Sequence, residues 1–214
     1  MMPALLESLA PKEKKVLLSA GLLFSAAAVL RFVSAVAENT ELVPKSGGEY
    51  REAIVGQPAF VNPLISASEE DRLLSALIYE KLGNLAEDIQ ADPENKVFSV
   101  KLKEGLLWQD GRGLKSDDVV FTLETIQDEN SHSPLFQSWQ GVIVERLSEI
   151  QLRFVLRTPY VFFKDNLKNL LVMPAHIFGE IPSVNLRLSD YNLEPVGSGP
   201  YKFERFSRRK DGFI

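Results

Sequence analysis

The chain has 214 residues, of which 45% are hydrophobic and 25% charged, a balance that is ordinary for a folded protein and argues against wholesale disorder. Its formal net charge is −5 and it has no basic block, which argues against a nucleic-acid-binding protein. Because it has no cysteine and only His132 and His176, disulfide scaffolds, thiol nucleophiles and iron–sulfur clusters are excluded, and a histidine-rich metal site is disfavoured. We expect no cofactor and no metal.

Residues 1–37 predict a signal peptide or a transmembrane anchor. Lys12-Glu13-Lys14-Lys15 precedes an uncharged apolar run over 16–30, and Ala35-Val36-Ala37 has the small-x-small pattern of a cleavage site. Counted from 16 to 37, with Arg31 as its only charge, the same stretch is long enough to span a bilayer of about 30 Å. Both interpretations place the rest of the chain on the side of the membrane away from the cytoplasm, because the lysines stay on the cytoplasmic side.

The next segment combines a tether with the start of a folded region. Residues 38–48 are polar and contain Pro and Gly, which is typical of a tether, and residues 50–55 predict a short strand. Asn62-Pro63 predicts a turn, and Ser68 is predicted to cap a helix, with Asp71 completing an approximate capping box. We expect that helix to run to Gly83-Asn84, with a core-facing stripe of Leu73, Leu74, Leu77, Ile78 and Leu82.

Further along, helical and strand patterns interleave. A turn over 92–95 leads into an alternating strand over 97–102, with Phe98, Val100 and Leu102 on its buried face. Ser116 is predicted to cap a second helix whose inner stripe is Val119, Val120, Leu123 and Ile126. Strands over 142–144 and 150–156, a helix over 162–171, a Gly-rich turn over 195–201 and a strand over 201–206 follow. The predicted fold class is α/β in the mixed α+β sense.

No group of residues points to catalysis, and we predict that the protein is not an enzyme. Asp117 and Asp118 would point about 100° apart on a helix, so we interpret them, like Glu69-Glu70-Asp71, as complementing the helix dipole. Gly197-Ser198-Gly199-Pro200 precedes a strand rather than a helix, so we interpret it as a tight turn rather than a phosphate loop. Neither histidine lies near a nucleophile elbow.

Three aromatic side chains outside the regular patterns are candidates for stacking against a ligand. Trp108 lies beside a turn and is interpreted as a core residue. Phe136 and Trp139 fall in a predicted loop, where a core role and a ligand-binding role stay equally open.

Seven short motifs, spread over about residues 50–206, resemble the family 5 extracellular solute-binding proteins, the dipeptide- and oligopeptide-binding proteins of ABC importers. The strongest is Trp108-Gln109-Asp110-Gly111 followed by residues 114–123. The others are residues 61–64, 77–82, 84–87, 98–105, 173–177 and 195–201, all in the order of the family. Two departures are a Gln109 where the family usually has histidine, which we interpret as a surface variation, and the absence of the lipid-anchor cysteine.

The resemblance implies a periplasmic-binding-protein-like, two-lobed fold of which only the N-terminal part is present, preceded by one apolar helix. Members of the family look more than twice as long as this chain. By analogy, residues 49–67 begin the first lobe, 68–185 form a smaller inserted domain, and 186–214 return to the first lobe, which is cut off at Ile214. The second lobe would then lie beyond this sequence.

The resemblance also implies a function, a site and partners. The protein would capture peptides outside the membrane by hinge closure and deliver them to ABC permease subunits, acting as a monomer that is either tethered or secreted to the periplasm or cell surface. The implied ligand contacts are Gln57, Pro58, Ala59 and Phe60 from the first lobe, with Phe136 and Trp139 from the inserted domain. Another solute, such as a nickel complex or an oligosaccharide, and a non-transport sensor or interaction module remain alternatives.

Overall fold

The computed structural model describes residues 10–39 and 55–207, with the side chains of 36–39 left out. The chain divides into two compact units, residues 1–52 and 53–214. In the first unit, helix α1 spans Pro11–Asn39. By length and composition its segment Pro11–Ala35 is able to cross a membrane, a test that a signal sequence also passes. The helix ends at Asn39, and residues 40–48 of the predicted tether lie outside the described part.

The first helix of the second unit, α2, spans Glu69–Ile78, and Ser68 caps it as predicted by accepting a hydrogen bond from the Asp71 N–H at 3.1 Å. The predicted apolar stripe is wrong in part, because Leu73 and Leu77 are exposed while the polar Asp71 and Ser75 are buried. The predicted helix end is also wrong. The chain becomes extended at Tyr79, and Gly83-Asn84 lies inside a short helix α3, Leu82–Leu85. The predicted strand over 50–55 falls outside the described residues except for its last one.

Four antiparallel strands form one sheet in the order β1-β2-β4-β3. They are β1 Ala86–Ala91, β2 Val97–Leu102, β3 Ile143–Arg146 and β4 Gln151–Val155. In the central pair, Phe98 opposes Phe154 and Val100 opposes Leu152, and all four are buried. This confirms the alternation predicted for β2 and β4. Strand β1 was not predicted, because its register shifts between Ala86 and Asp88 and its burial does not alternate.

The helices that accompany the sheet are mostly short. Helix α4 spans Ser116–Gln127 and buries Val119, Leu123 and Ile126 as predicted, although its N-cap is Lys115, while the Ser116 hydroxyl donates to the Ser148 carbonyl. Helices α5 Phe136–Trp139, α6 Phe163–Asn169 and α7 Ala175–Phe178 follow, with 3-10 segments at Glu129–Ser131, Ser183–Leu188 and Asp190–Asn192.

Aromatic rings join the sheet to the helices. The ring of Phe163 on α6 lies edge-on to Phe98, Trp139 and Phe154 at centroid distances of 5.1, 5.4 and 6.2 Å. Such edge-to-face contacts are a preferred geometry of buried aromatic rings. The mixed α and β class is therefore confirmed, with its core between the sheet and the helices.

The predicted strand over 201–206 is wrong, since residues 201–207 adopt no regular structure. The N–H of Tyr201 donates to the Leu77 carbonyl at 3.2 Å, and that of Gly199 donates to the Ile78 carbonyl at 2.7 Å. These N–H groups therefore bond to the last turn of α2 instead of to a neighbouring strand.

Candidate functional site

A cavity of about 440 Å³ opens between three segments that are distant in sequence: residues 63–75, 134–139 and 166–171. Its wall mixes apolar side chains such as Leu135, Trp139 and Leu170 with serines, asparagines and one arginine. This volume and this mixture are typical of a pocket for a small ligand.

The structure places one of the six predicted ligand contacts in the wall of the cavity and the other five outside it. Trp139 lines the cavity, although only 4% of the residue is exposed and its ring packs on Phe163. The other five, namely Gln57, Pro58, Ala59, Phe60 and Phe136, are not among its lining residues. Residues 136–139 form helix α5 rather than the predicted loop. The assignment of these six residues to ligand binding stays a prediction.

Asp71 connects the predicted first-lobe contacts to the wall of the cavity. Its carboxylate oxygen Oδ1 accepts from the N–H groups of Ala59 and Phe60 at 2.8 and 3.0 Å, and the residue is 2% exposed. The interpretation of Asp71 as a dipole-complementing residue therefore missed its main role. The sequence shows that Asp71 and Ser75 lie four residues apart on one helix face, but their burial is visible only in the structure.

Ser66 continues this connection. Its hydroxyl donates to the Phe60 carbonyl at 2.8 Å and lies 2.8 Å from the Ser75 hydroxyl, and both serines line the cavity. The guanidinium of Arg187 lies 5.1 Å from the centre of the Phe60 ring, a cation–π contact that covers one face of that ring. The backbone of residues 59 and 60 is thus held by buried side chains directly behind the cavity wall.

Asp118 is a buried acceptor for three donors rather than a residue that only complements a dipole. Its Oδ2 accepts from Trp108 Nε1 at 3.3 Å and from the Lys115 N–H at 2.9 Å, and its Oδ1 accepts from the Ala175 N–H at 2.9 Å. Burial raises the pKa of this carboxyl above its ordinary value, against the opposing effect of those hydrogen bonds. Asp117 instead lies on the surface, 2.7 Å from Arg146 Nε.

Gln109 is not the surface variation that the sequence suggested. The side chain is half-buried, and its Nε2 donates to the carbonyls of Gly199 and Tyr201 at 3.0 and 2.7 Å. Its Oε1 accepts from the Gly197 N–H at 3.2 Å. The amide therefore holds the Gly-rich turn, and the N–H groups of Gly197 and Gly199 donate to acceptors within the protein.

The two histidines lie apart from the cavity. His176 Nε2 is 2.8 Å from Asp110 Oδ2, which joins the turn after Trp108 to helix α7. His132 adopts a left-handed backbone conformation at the end of a 3-10 turn. Within residues 10–39 and 55–207, no three His, Cys, Asp or Glu side chains lie close enough together to hold a metal ion.

Residues 82–211 match the family described as bacterial extracellular solute-binding proteins, family 5 Middle. The chain belongs to this family. The matched region includes the sheet, helices α4 to α7 and the Gly-rich turn, and the resemblance drawn from the seven motifs is confirmed.

This chain is similar to members of family 5 in both sequence and structure. The oligopeptide-binding protein AppA of Bacillus subtilis (strain 168) is 28% identical over 178 residues, which are 77% of this chain and 33% of that protein. The ABC transporter substrate binding protein CtaP of Listeria monocytogenes is 32% identical with a TM-score of 0.66, covering 72% of this chain and 33% of its own. NikZ of Campylobacter jejuni, solved in complex with Ni(L-His), is 26% identical with a TM-score of 0.63, covering 71% and 32%.

The chain therefore spans about a third of the length of these family 5 proteins. The predicted fold, the N-terminal part of a periplasmic-binding-protein-like architecture after one apolar helix, is confirmed. The predicted division into 1–37, 38–48, 49–67, 68–185 and 186–214 stays a prediction.

Proposed function

We propose that this chain is the N-terminal part of the substrate-binding component of an ABC importer, which captures peptides outside the cytoplasmic membrane and delivers them to permease subunits. The observation that carries the proposal is the family 5 match over residues 82–211, together with AppA, a relative named for oligopeptides whose solved structure holds a nonapeptide.

The geometry of the cavity supports a peptide as the ligand. Peptides are commonly held through hydrogen bonds to their backbone, with apolar pockets that accept their side chains. Here Leu135, Trp139 and Leu170 supply apolar surface, and serines and asparagines supply hydrogen-bonding groups. Ala59 and the exposed Gln57 lie in the segment that Asp71 fixes, so the predicted first-lobe contacts have a rigid support.

Capture would proceed by closure of two lobes about a hinge. A ligand that contacts both lobes shifts the equilibrium towards the closed form, which the permease then recognises. In this proposal the present chain supplies one wall of the site and the remaining two-thirds of a family 5 protein supply the other. The assembled protein acts as a monomer and needs no cofactor.

The apolar helix α1 supports the proposed location outside the cytoplasm. Its apolar segment Pro11–Ala35 either anchors the protein or directs its export, and in both cases residues 55–207 lie outside the cytoplasm. Fractionation of cells and N-terminal sequencing of the exported protein would separate these cases: a mature N-terminus near Glu38 indicates a cleaved signal, and an intact α1 in the membrane fraction indicates an anchor.

Two alternatives remain. NikZ, a structural relative solved with Ni(L-His), favours a metal–amino acid complex as the second candidate ligand. A sensor built on the same scaffold would bind the solute without a permease.

Isothermal titration of the full-length protein with a mixture of tripeptides tests the proposal. Saturable heat is the expected result, and a Ser138→Phe variant, which fills the cavity, should lose it. Gln137→Phe is the matched control, because Gln137 is the exposed neighbour that does not line the cavity. Binding of Ni(L-His) without any response to peptides would overturn the proposal in favour of the second ligand.

A further inference from the structure

The cavity carries one formal charge, and that charge is positive. Arg72 on α2 is the single ionisable side chain of its lining, and the other lining residues are neutral. Among residues 10–39 and 55–207, the acidic groups that form ion pairs do so with other partners, namely Lys101, Lys115, Arg146, Arg153 and His176. Arg72 therefore lines the cavity without an ion-pair partner among the described residues.

Arg72 is held in position but keeps most of its donors. Its Nη1 donates to the Ala67 carbonyl at 2.5 Å, which ties the side chain to the residue before the helix cap. No acceptor within the described residues contacts its Nε or Nη2. A guanidinium presents several N–H groups in one plane, and a carboxylate matches that arrangement with two parallel hydrogen bonds.

The neutral polar groups of the wall fall into two sets. Ser66 and Ser75 bond to each other, and the Asn169 amide bonds to Lys81 Nζ at 3.2 Å and to the Asp165 carbonyl at 2.9 Å. By contrast, the Ser138 hydroxyl and the Asn166 side-chain amide make no hydrogen bond to another described residue. Donors left over for a ligand thus come from α2, α5 and α6, with Arg72 the strongest among them.

We propose that this cavity binds a carboxylate of the ligand, seated on Arg72 with Ser138 and Asn166 as additional donors. The inference rests on the proposed function, in which the carboxylate is either the C-terminus of a peptide or an acidic side chain. A free amine of a ligand is disfavoured at the same position, because its ammonium would meet the positive charge of Arg72 and the lining has no acidic group to pair with it.

The test measures affinity of the full-length protein for trialanine, trialaninamide and Glu-Ala-Ala-amide. We expect a free carboxylate to improve affinity by about tenfold over trialaninamide, since charge-assisted hydrogen bonds contribute on that scale. Trialanine reports the terminal carboxylate and Glu-Ala-Ala-amide the side-chain carboxylate. In Arg72→Gln the preference should fall to within about twofold, and in Arg72→Lys it should be partly kept.

Arg153→Gln is the matched control, because Arg153 pairs with Glu145 on the sheet and does not line the cavity. It should keep the wild-type preference, and equal melting temperatures of the two glutamine variants would show that both fold. If peptides bind and Arg72→Gln keeps the preference, the inference is overturned while peptide binding stands.

Succinate separates the remaining outcomes. If no peptide binds but succinate binds the wild type and not Arg72→Gln, the carboxylate inference stands and the peptide proposal fails. If neither peptides nor succinate bind, both are overturned.

Discussion

Gly197 lies so close to Ile78 that a Cβ on the glycine would stand 1.9 Å from the Ile78 carbonyl oxygen. The same turn is fixed by two further hydrogen bonds, from Gly199 N–H to the Ile78 carbonyl and from Gln109 N–H to the Gly197 carbonyl at 2.8 Å. Backbone therefore packs on backbone where the Gly-rich turn meets the end of α2, and no side chain fits between them.

Gly197→Ala should destabilise the protein by about 3 kcal/mol, because the new methyl group meets a carbonyl that belongs to a buried helix end. Gly113→Ala is the control: its Cβ would come no closer than 3.7 Å to Lys115 Cε, so its effect should stay within about 0.5 kcal/mol. Urea unfolding of the full chain in mild detergent, followed by tryptophan fluorescence, measures both. Equal midpoints for the two variants would contradict the close approach.

Asp71→Ala should loosen the segment of residues 57–60 and lower the free energy of unfolding by about 1–3 kcal/mol, since the N–H groups of Ala59 and Phe60 lose the buried carboxylate that accepts from them. Hydrogen exchange at the Ala59 and Phe60 amides should accelerate. Glu69→Ala, at an exposed position in the same helical turn, serves as the control and should leave both amides protected. Unchanged exchange in Asp71→Ala would show that the segment is held by other contacts.

Trp139→Ala should cost about 3–5 kcal/mol, because the indole is buried against Phe163 and its removal leaves a cavity. Phe136→Ala should cost clearly less, as that side chain is only half-buried. Denaturant unfolding of both variants gives the comparison. Similar losses would mean that the core does not depend on Trp139 in particular.

Asp118→Asn should change the pH dependence of stability. Because burial raises the folded-state pKa of Asp118 above the ordinary value of 3.8, the folded state holds this proton more tightly than the unfolded chain does. The contribution of Asp118 to the free energy of unfolding is therefore greatest below pH 3.8 and declines as pH rises through the folded-state pKa. The stability advantage of the wild type over Asp118→Asn should decline with it.

Urea unfolding of both proteins between pH 3.5 and about pH 7 measures that difference. Asp117→Asn controls for the loss of one negative charge in the same helical turn, at an exposed position. A wild-type advantage that grows with rising pH would show that the pKa of Asp118 is lowered and would refute the prediction.

Regular local patterns explain where sequence reasoning succeeded. A strand or helix that buries one face places its apolar residues at the period of that element. The alternation of Phe98, Val100 and Leu102 has the period of a strand, and the spacing of Val119, Leu123 and Ile126 has the period of a helix. Strand β1 lacks this alternation because of its register shift, and it was missed. In α2 the spacing of the leucines predicted the wrong buried face. Hydrogen bonds allow Asp71 and Ser75 to occupy the inner face, while Leu73 and Leu77 are exposed.

The sequence by itself determined the family, the mixed fold class, the apolar N-terminal helix and most of the regular elements, since each depends on short-range patterns or on ordered motifs. Only the tertiary structure decided which residues form the candidate site. Arg72, Ser138 and Asn166 lie in three separate segments, and the packing of α2, α5 and α6 brings them to one cavity. Hydrogen-bond partners such as Asp71 with Ala59 depend on that same packing, because the chain must first bring the buried acceptor and its donor together.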